Sequence, residues 1–211
     1  MALSLITAPA VEPITLEDAK EHLRVEHGDE DALIESLIQV ARETAETFTR
    51  RALITQTWDL VLESPLPSCD RWQSIRLLAP LIAVISITYV DTAGADQTLF
   101  DTAAVIPTTP EPDYIVDAPA GPQCLPGRIM PAPGITWPSL SSQSNAMTVR
   151  FTAGYGDPED VPEAFKSAIK LIIGHLYANR ESVVITDRGS IVQEVPQSAI
   201  WLLEPYVLVG F

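Results

Sequence analysis

Between residues 31 and 51 apolar side chains recur every three or four positions: Leu33, Ile34, Leu37, Ile38, Ala41, Ala45 and Phe48. That period lines up one side of an α-helix and predicts a helix over 30–50. Asp29, Glu30 and Asp31 precede it and Arg50 and Arg51 close it, each charge at the end whose dipole it complements. A shorter helix is predicted over 16–25, where the Thr15 hydroxyl can cap the first turn, Glu17 and Asp18 follow, and Leu16, Ala19 and Leu23 share a face. The stretch from His27 to Asp31 is a polar break between the two. A third helix is expected over 162–180, with Pro162 in the first turn, where its missing donor costs nothing. Its apolar face, from Phe165 through Ala168, Ile169, Ile172, Ile173, Leu176 and Tyr177, is broad enough for burial between neighbours. A last short helix falls over 197–204, ahead of Pro205.

Between these helices the period drops to two. Trp58, Leu60 and Leu62 alternate with polar residues, and Ile75 and Leu77 repeat the pattern. A β-branched run over 84–90 ends at the turn signal Asp91-Thr92-Ala93-Gly94, with Gln97 to Phe100 as the returning strand. Met147, Val149 and Phe151 alternate once more before Gly154-Tyr155-Gly156 stops the strand. Residues 107–134, rich in Pro, Gly and Ala, read as an irregular surface excursion with one short strand at Tyr114-Ile115-Val116. Residues 183–195 read as a loop or hairpin around Asp187-Arg188-Gly189. The expectation is an α+β fold in one domain over 1–211: a helical body of about four helices, a small antiparallel β-sheet inserted near 56–155, and a C-terminal tail over 204–211.

The composition, 46% hydrophobic and 19% charged with 18 Pro and 10 Gly, is that of a folded chain with long turn-rich stretches. A formal net charge of −15 with only 13 basic residues argues against a phosphate-tracking surface, because affinity for DNA comes largely from Lys and Arg that displace counterions. The basic residues are scattered, with Arg50-Arg51 the only adjacent pair. An acidic wall repels DNA and suits a conduit better than a reader. The longest apolar runs, 77–90 and 168–176, are broken by Pro80, Ser86, Thr88 and Lys170 and fall short of the roughly 20 residues a membrane-spanning helix needs. The N-terminus lacks a positively charged start, so the chain reads as soluble and unsecreted. Cys69 and Cys124, with no CxxC spacing, read as reduced thiols.

Candidate chemistry is sparse. His22 and His27 stand near Asp29, Glu30 and Asp31, yet the spacing matches neither a helical His pair nor a calcium loop, and acids belong at a helix start. His175 lies beside an apolar face with no nominated nucleophile. Asp157, Glu159 and Asp160 come directly before Pro162 and read as helix-start charge. No GxSxG elbow, P-loop, HExxH or complete dinucleotide fingerprint occurs, so no catalytic residue, metal or cofactor is assigned. Trp137 and Trp201 fall in weakly periodic segments, where local packing and an exposed interface are both open readings. The apolar residues of the 183–195 segment and of the tail lack an obvious core to join. The expected protein-interface set is therefore Val183, Val184, Ile185, Ile191, Val192, Trp201, Tyr206, Val207, Leu208, Val209 and Phe211.

Three groups of residues, in this order, resemble the head-tail connector family of long-tailed phages and gene transfer agents. The first is Pro13-Ile14-Thr15-Leu16-Glu17-Asp18-Ala19-Lys20, then His22-Leu23-Arg24-Val25 and Asp29-Glu30-Asp31. The second is Arg51-Ala52-Leu53-Ile54-Thr55-Gln56-Thr57-Trp58, with Pro80-Leu81 and Ser86-Ile87-Thr88-Tyr89 further on. The third is Ala153-Gly154-Tyr155-Gly156, Val161-Pro162, Lys166, His175-Leu176-Tyr177 and Asn179-Arg180-Glu181. The resemblance implies a non-enzymatic virion protein of the neck, assembled in the bacterial cytoplasm into a dodecameric ring. It implies contact with the portal protein on one side and the next neck or tail completion protein on the other, with DNA passing through without specific binding. Another neck role, tail completion or terminator, is the alternative; a small hydrolase or metal-dependent enzyme on the β insertion is a rival from a different class.

Overall fold

The first helix, α1 (Leu16–Leu23), begins where Thr15 caps it: Thr15 Oγ1 accepts from the Asp18 N–H at 3.1 Å, and the Asp18 carboxylate accepts from the Thr15 N–H at 3.2 Å. The reciprocal pair satisfies two amides that the first turn leaves without partners. Arg24, in the left-handed region at φ 58°, ends the helix. The second helix, α2 (Asp31–Thr49), ends the same way at Arg50, φ 57°. α3 (Glu163–Ala178) starts behind Pro162 and α4 (Gln197–Leu203) behind Pro196. The molecule, a computed structural model, is described over residues 2–63, 74–101, 114–180, 184–186, 189–191 and 196–208.

The helices share one apolar core. Ile34, Ile38, Ala41 and Ala45 of α2 meet Phe165, Ala168, Ile169, Ile172 and Ile173 of α3, with Ala19 of α1 and Ala199 and Leu203 of α4 closing the sides. The broad face of α3 is buried between neighbours, as its sequence width requires.

The strands form a second body. β2 (Gln56–Leu62), β4 (Leu81–Val90), β5 (Asp96–Asp101) and β8 (Met147–Ala153) join β1 (Ala2–Thr7) in an antiparallel five-stranded sheet of order β1-β2-β8-β4-β5. Met147, Val149, Phe151 and Ala153 of β8 point to the buried side, while Arg150 on the other side binds Asp59 across the β2 register with both hydrogen bonds at 2.7 Å. β3 (Ile75–Leu77), β6 (Tyr114–Asp117) and β7 (Gly127–Pro131) make a separate antiparallel sheet of order β3-β7-β6. Its Ile75, Leu77, Tyr114 and Ile129 share a core with Leu60, Ile87, Val149 and Phe151 of the larger sheet. β9 (Val184–Thr186) and β10 (Gly189–Ile191) pair with each other.

Three expectations are corrected here. Residues 2–7, read only as a mildly apolar terminus, form the strand at one edge of the large sheet, so the β region draws on chain from outside 56–155. The 107–134 excursion is not simply surface: its described part supplies two strands of the second sheet, with Tyr114, Val116 and Ile129 buried. The small antiparallel sheet is thus two sheets. Residues 107–113 and Cys69 lie outside the described residues.

Helical and β bodies meet along 51–55 and 153–156. Tyr155 N–H donates to Leu53 O at 3.0 Å and Thr55 N–H to Gly156 O at 3.1 Å. Gly154 sits at φ +140°, and a Cβ there would lie 2.4 Å from the Ile54 carbonyl oxygen. Neither the dihedral nor the space admits a side chain. Gly154→Ala is expected to cost at least about 2 kcal/mol, from positive-φ strain of about 1–3 kcal/mol with a backbone clash added. Calorimetry should show a fall of about 4 °C or more in Tm for a domain of this size; an unchanged Tm would refute the clash.

Candidate protein-interaction site

The C-terminal segment is placed by Arg51, an arginine only 3% exposed at the helix–sheet junction. Its Nε donates to the Tyr206 carbonyl at 2.7 Å, and a terminal guanidinium nitrogen lies 3.5 Å from Cys124 Sγ. Leu208 N–H donates to Thr49 O at 3.1 Å, and the Leu208 side chain is buried with Ala79 and Cys124. The Tyr206 ring packs on Phe165 at 4.7 Å between centroids, and Phe165 on Tyr155 at 5.8 Å. Tyr155 donates to Pro122 O at 2.5 Å, and burial pushes its phenol up to about 12, against the pull of Arg51. Tyr206 and Leu208 are therefore docked on this chain's own body, which corrects the expectation that the tail has no core to join. The core that receives them is assembled from residues remote in sequence. Val207, between them, is half-buried.

The rest of the expected interface set is distributed differently. Trp201 projects from α4 at 66% exposure, while Ala199 and Leu203 of the same helix are buried. Val184, Ile185 and Ile191 fall on the β9–β10 hairpin, which is hydrogen-bonded to no other strand among the described residues. Val183, Val192, Val209 and Phe211 lie outside the described residues, as do Asp187 and Arg188. Trp137 is half-buried against the β core.

Two apolar surfaces escaped the sequence reading. On α2 the apolar face is wider than the core it covers, leaving Leu33, Val40 and Phe48 exposed at 36%, 46% and 37% beside half-buried Leu37. All six residues of β1 are exposed, Leu3, Leu5 and Ile6 among them. The three- and four-residue steps of α2 give a signal for the first surface, since seven apolar positions exceed what one neighbouring helix face covers. Nothing in the sequence marks β1 as an edge.

A partly buried ionic cluster centred on Arg42 ties α2 to the segment before α1. Arg42, with a side chain 6% exposed, donates from Nε to Glu12 at 2.8 Å and from Nη1 to Glu46 at 2.7 Å. Glu46 also accepts from Leu53 N–H at 2.8 Å and Gln56 Nε2 at 2.6 Å. Burial pushes the Glu46 carboxyl up, with these donors pulling the other way. Burial also works against the Arg42 charge, but Glu12 and Glu46 together hold its pKa above the ordinary value. At the far end of α2, Glu30 accepts from Tyr177 and, at 2.6 Å, from Arg180, and these bonds lower its carboxyl pKa.

The residues weighed for chemistry stay apart. His27 faces Asp29 at 3.8 Å on the surface. Asp157 and Asp160 cap the short 3-10 turn Pro158–Asp160. Among the described residues no three His, Cys, Asp or Glu side chains come together as metal ligands would, and no helix is long and apolar enough to cross a membrane.

Residues 13–78 match the family model described as phage gp6-like head-tail connector protein. No curated protein is a significant match. Among solved structures, a chain from the neck of an empty gene transfer agent particle, computed with C6 symmetry, has the same fold with a TM-score of 0.72 at 22% identity. A chain from the virion of a native gene transfer agent particle gives 0.73 at 21% identity, and one from the neck of the native particle, computed with C12 symmetry, 0.73 at 20%. In all three, 100% of this chain and 97% of the other are covered. At that identity the likeness is one of fold, and it extends over the whole chain, β insertion included.

Proposed function

We propose that this chain is a head-tail adaptor: a structural, non-enzymatic subunit that forms a ring between the portal and the next neck or tail completion protein, with DNA passing through unbound. The reading rests on one coincidence. The connector family model and the full-length fold of neck chains fall on the same molecule, the first on α1, α2 and the start of the sheet, the second on everything. The ring is proposed as a dodecamer, in keeping with the C12 symmetry of one of those necks. The particle neck is then its location, after assembly in the bacterial cytoplasm.

The surface fits such a part. The uncovered band of α2 offers apolar area to an adjacent subunit, and heterologous contacts of that kind close into a ring when the rotation allows. The net charge of −15 suits a bore that repels DNA. Trp201, exposed on α4, is proposed to contact the portal, and Val183, Val184, Ile185, Ile191, Val192, Val209 and Phe211 are proposed with it; Tyr206 and Leu208 serve instead to seat the segment, with Val207 between them.

Electron microscopy of the protein mixed with the portal from the same genomic neighbourhood tests the role. A ring capping the portal's narrow end is expected; a ring on tail tubes with no portal binding would move the assignment to tail completion. Trp201→Ala provides the finer test. An exposed substitution leaves stability within about 0.5 kcal/mol, whereas loss of a buried aromatic anchor at an interface costs about 2 kcal/mol or more, about thirtyfold in affinity. Portal capping should therefore weaken at unchanged Tm, and undiminished capping would remove Trp201 from the interface.

A further inference from the structure

Between the segment before α1, the middle of α2 and the start of α3 lies an open groove of about 720 Å³. Its floor is apolar. Ile14 and Ile38, both buried in the helical core, line it from beneath, Pro158 forms one wall, and Val11 stands 48% exposed at the mouth. The rim is acidic in an uneven way. Lys170 is set against Asp18 at 3.3 Å and Lys166 against Glu163 at 2.8 Å, yet the lysine side chains are only 30% and 18% exposed while their carboxylate partners are 43% and 83% exposed. Glu12 is taken up by Arg42. That leaves Glu35 and Glu159, both exposed and in no ion pair among the described residues. Helix-start charge accounts for Asp18, Glu159 and Glu163. It does not account for Glu35, one turn into α2, or for an exposed valine at the mouth of a groove.

We propose that this groove binds a cationic peptide segment carrying an aliphatic anchor, contributed by a different protein. The aliphatic side chain fills the floor between Val11 and Ile38, and flanking Lys or Arg side chains meet Glu35 and Glu159. Charge complementarity selects the occupant. A second copy of this chain is a poor source, since it carries 13 basic against 28 acidic residues and its only adjacent basic pair, Arg50-Arg51, has Arg51 buried. The inference goes beyond the adaptor reading and does not depend on it, because the groove is a property of the single subunit.

The test is fluorescence anisotropy with a labelled 12-residue peptide alternating lysine and leucine, added to the full chain at physiological salt. Two control peptides replace every lysine by glutamate or every leucine by serine. The Glu35→Lys, Glu159→Lys double variant should weaken the lysine–leucine peptide at least tenfold and Val11→Ser about threefold, with Tm preserved in both, as interface charges act on binding rather than folding. Reversing Glu26 and Asp96, also exposed but away from the groove, should change little. Equal binding to wild type and double variant, tight binding of either control peptide, or no binding of the lysine–leucine peptide would each overturn the proposal. So would self-association of the wild type that the double variant abolishes, which would make a second copy the occupant.

Discussion

Phe165→Ala is expected to lower stability by about 3–5 kcal/mol, the range for removing a buried aromatic ring from a core that only partly collapses. Phe165 is 0% exposed and bridges two bodies of packing. On one side it sits among Ile34, Ile38 and Ile169; on the other its ring holds Tyr155 at 5.8 Å and Tyr206 at 4.7 Å. Tilted aromatic pairs add about 0.5–1.5 kcal/mol beyond burial, so the upper half of the range is the better guide. For a chain of this length each kcal/mol moves Tm by about 2–4 °C, and calorimetry should record a fall of about 6–20 °C. A second readout separates this cavity from an ordinary one. Without Phe165 the Tyr206 ring loses its platform, and limited proteolysis should cut near residues 204–208 in the variant before it cuts the wild type. A loss below about 1 kcal/mol with the tail still protected would show that the aromatic stack is not what holds the segment.

Arg42→Ala is the second large effect, about 3–5 kcal/mol, because it strands a buried carboxylate rather than merely removing a contact. Glu46 keeps its bonds to Leu53 N–H and Gln56 but loses the positive charge beside it. The pH dependence follows from the sign of the Glu46 shift. Its folded pKa is already raised, chiefly by burial, and removing Arg42 raises it further. A carboxyl whose folded pKa exceeds its unfolded value binds more protons folded than unfolded. Its contribution is therefore fully present below the ordinary pKa of 4.5 and is lost as pH rises through the folded value. The Arg42→Ala defect should accordingly be smallest near about pH 4–5 and largest above neutrality, when chemical denaturation is compared with wild type at each pH. Arg42→Met with Glu46→Gln should recover part of the loss, since a buried ion pair replaced as a unit costs less than one broken. A defect independent of pH would mean that Glu46 is neutral in the folded wild type.

The helices are readable because each carries its own boundary signals. Thr15 with Asp18, the glutamates and aspartates at the starts, and the repeat from Ile34 to Ala45 are all local in sequence. The fold class and the strands β2 and β8 follow from alternation for the same reason, and β4 and β5 from a β-branched run and the turn signal that ends it. β1 does not, because all of its residues are exposed and no core imposes a pattern on Ala2–Thr7. β7 does not, because Gly127 and Pro131 bound five residues whose strand character comes from pairing with β3 and β6. The seat of Leu208 is invisible in principle: Ala79 and Cys124, its partners, lie far back in the chain. Arg42, like the uncovered apolar band of α2, is a recoverable omission. It falls four residues after Ile38 and three before Ala45, on the buried face, where an arginine demands carboxylates, and Glu43 beside it and Glu46 one turn later are both within reach. The acidic rim of the groove is half legible, since Glu159 stands out as helix-start charge, but only the tertiary arrangement sets it opposite Glu35.

The hydrogen bond from Arg51 to the Tyr206 carbonyl joins residues 155 positions apart, and the Arg150–Asp59 pair spans 91. Contacts of such long separation make folding slow, because the entropy of closing the loop must be met before the contact rewards it. They also set an order on synthesis. Until β8 has left the ribosome the large sheet has no middle strand, and until residue 208 has left it Arg51 lacks the Tyr206 carbonyl and Ala79 and Cys124 lack the cover of Leu208. A nascent chain of about 150 residues would expose the inner faces of β2 and β4 together with the apolar side of α2, a surface of the kind that chaperones hold and that aggregates when concentrated. Late completion then acts as a timer: the packing around Arg51, Ala79 and Cys124 closes only after residue 208 has emerged.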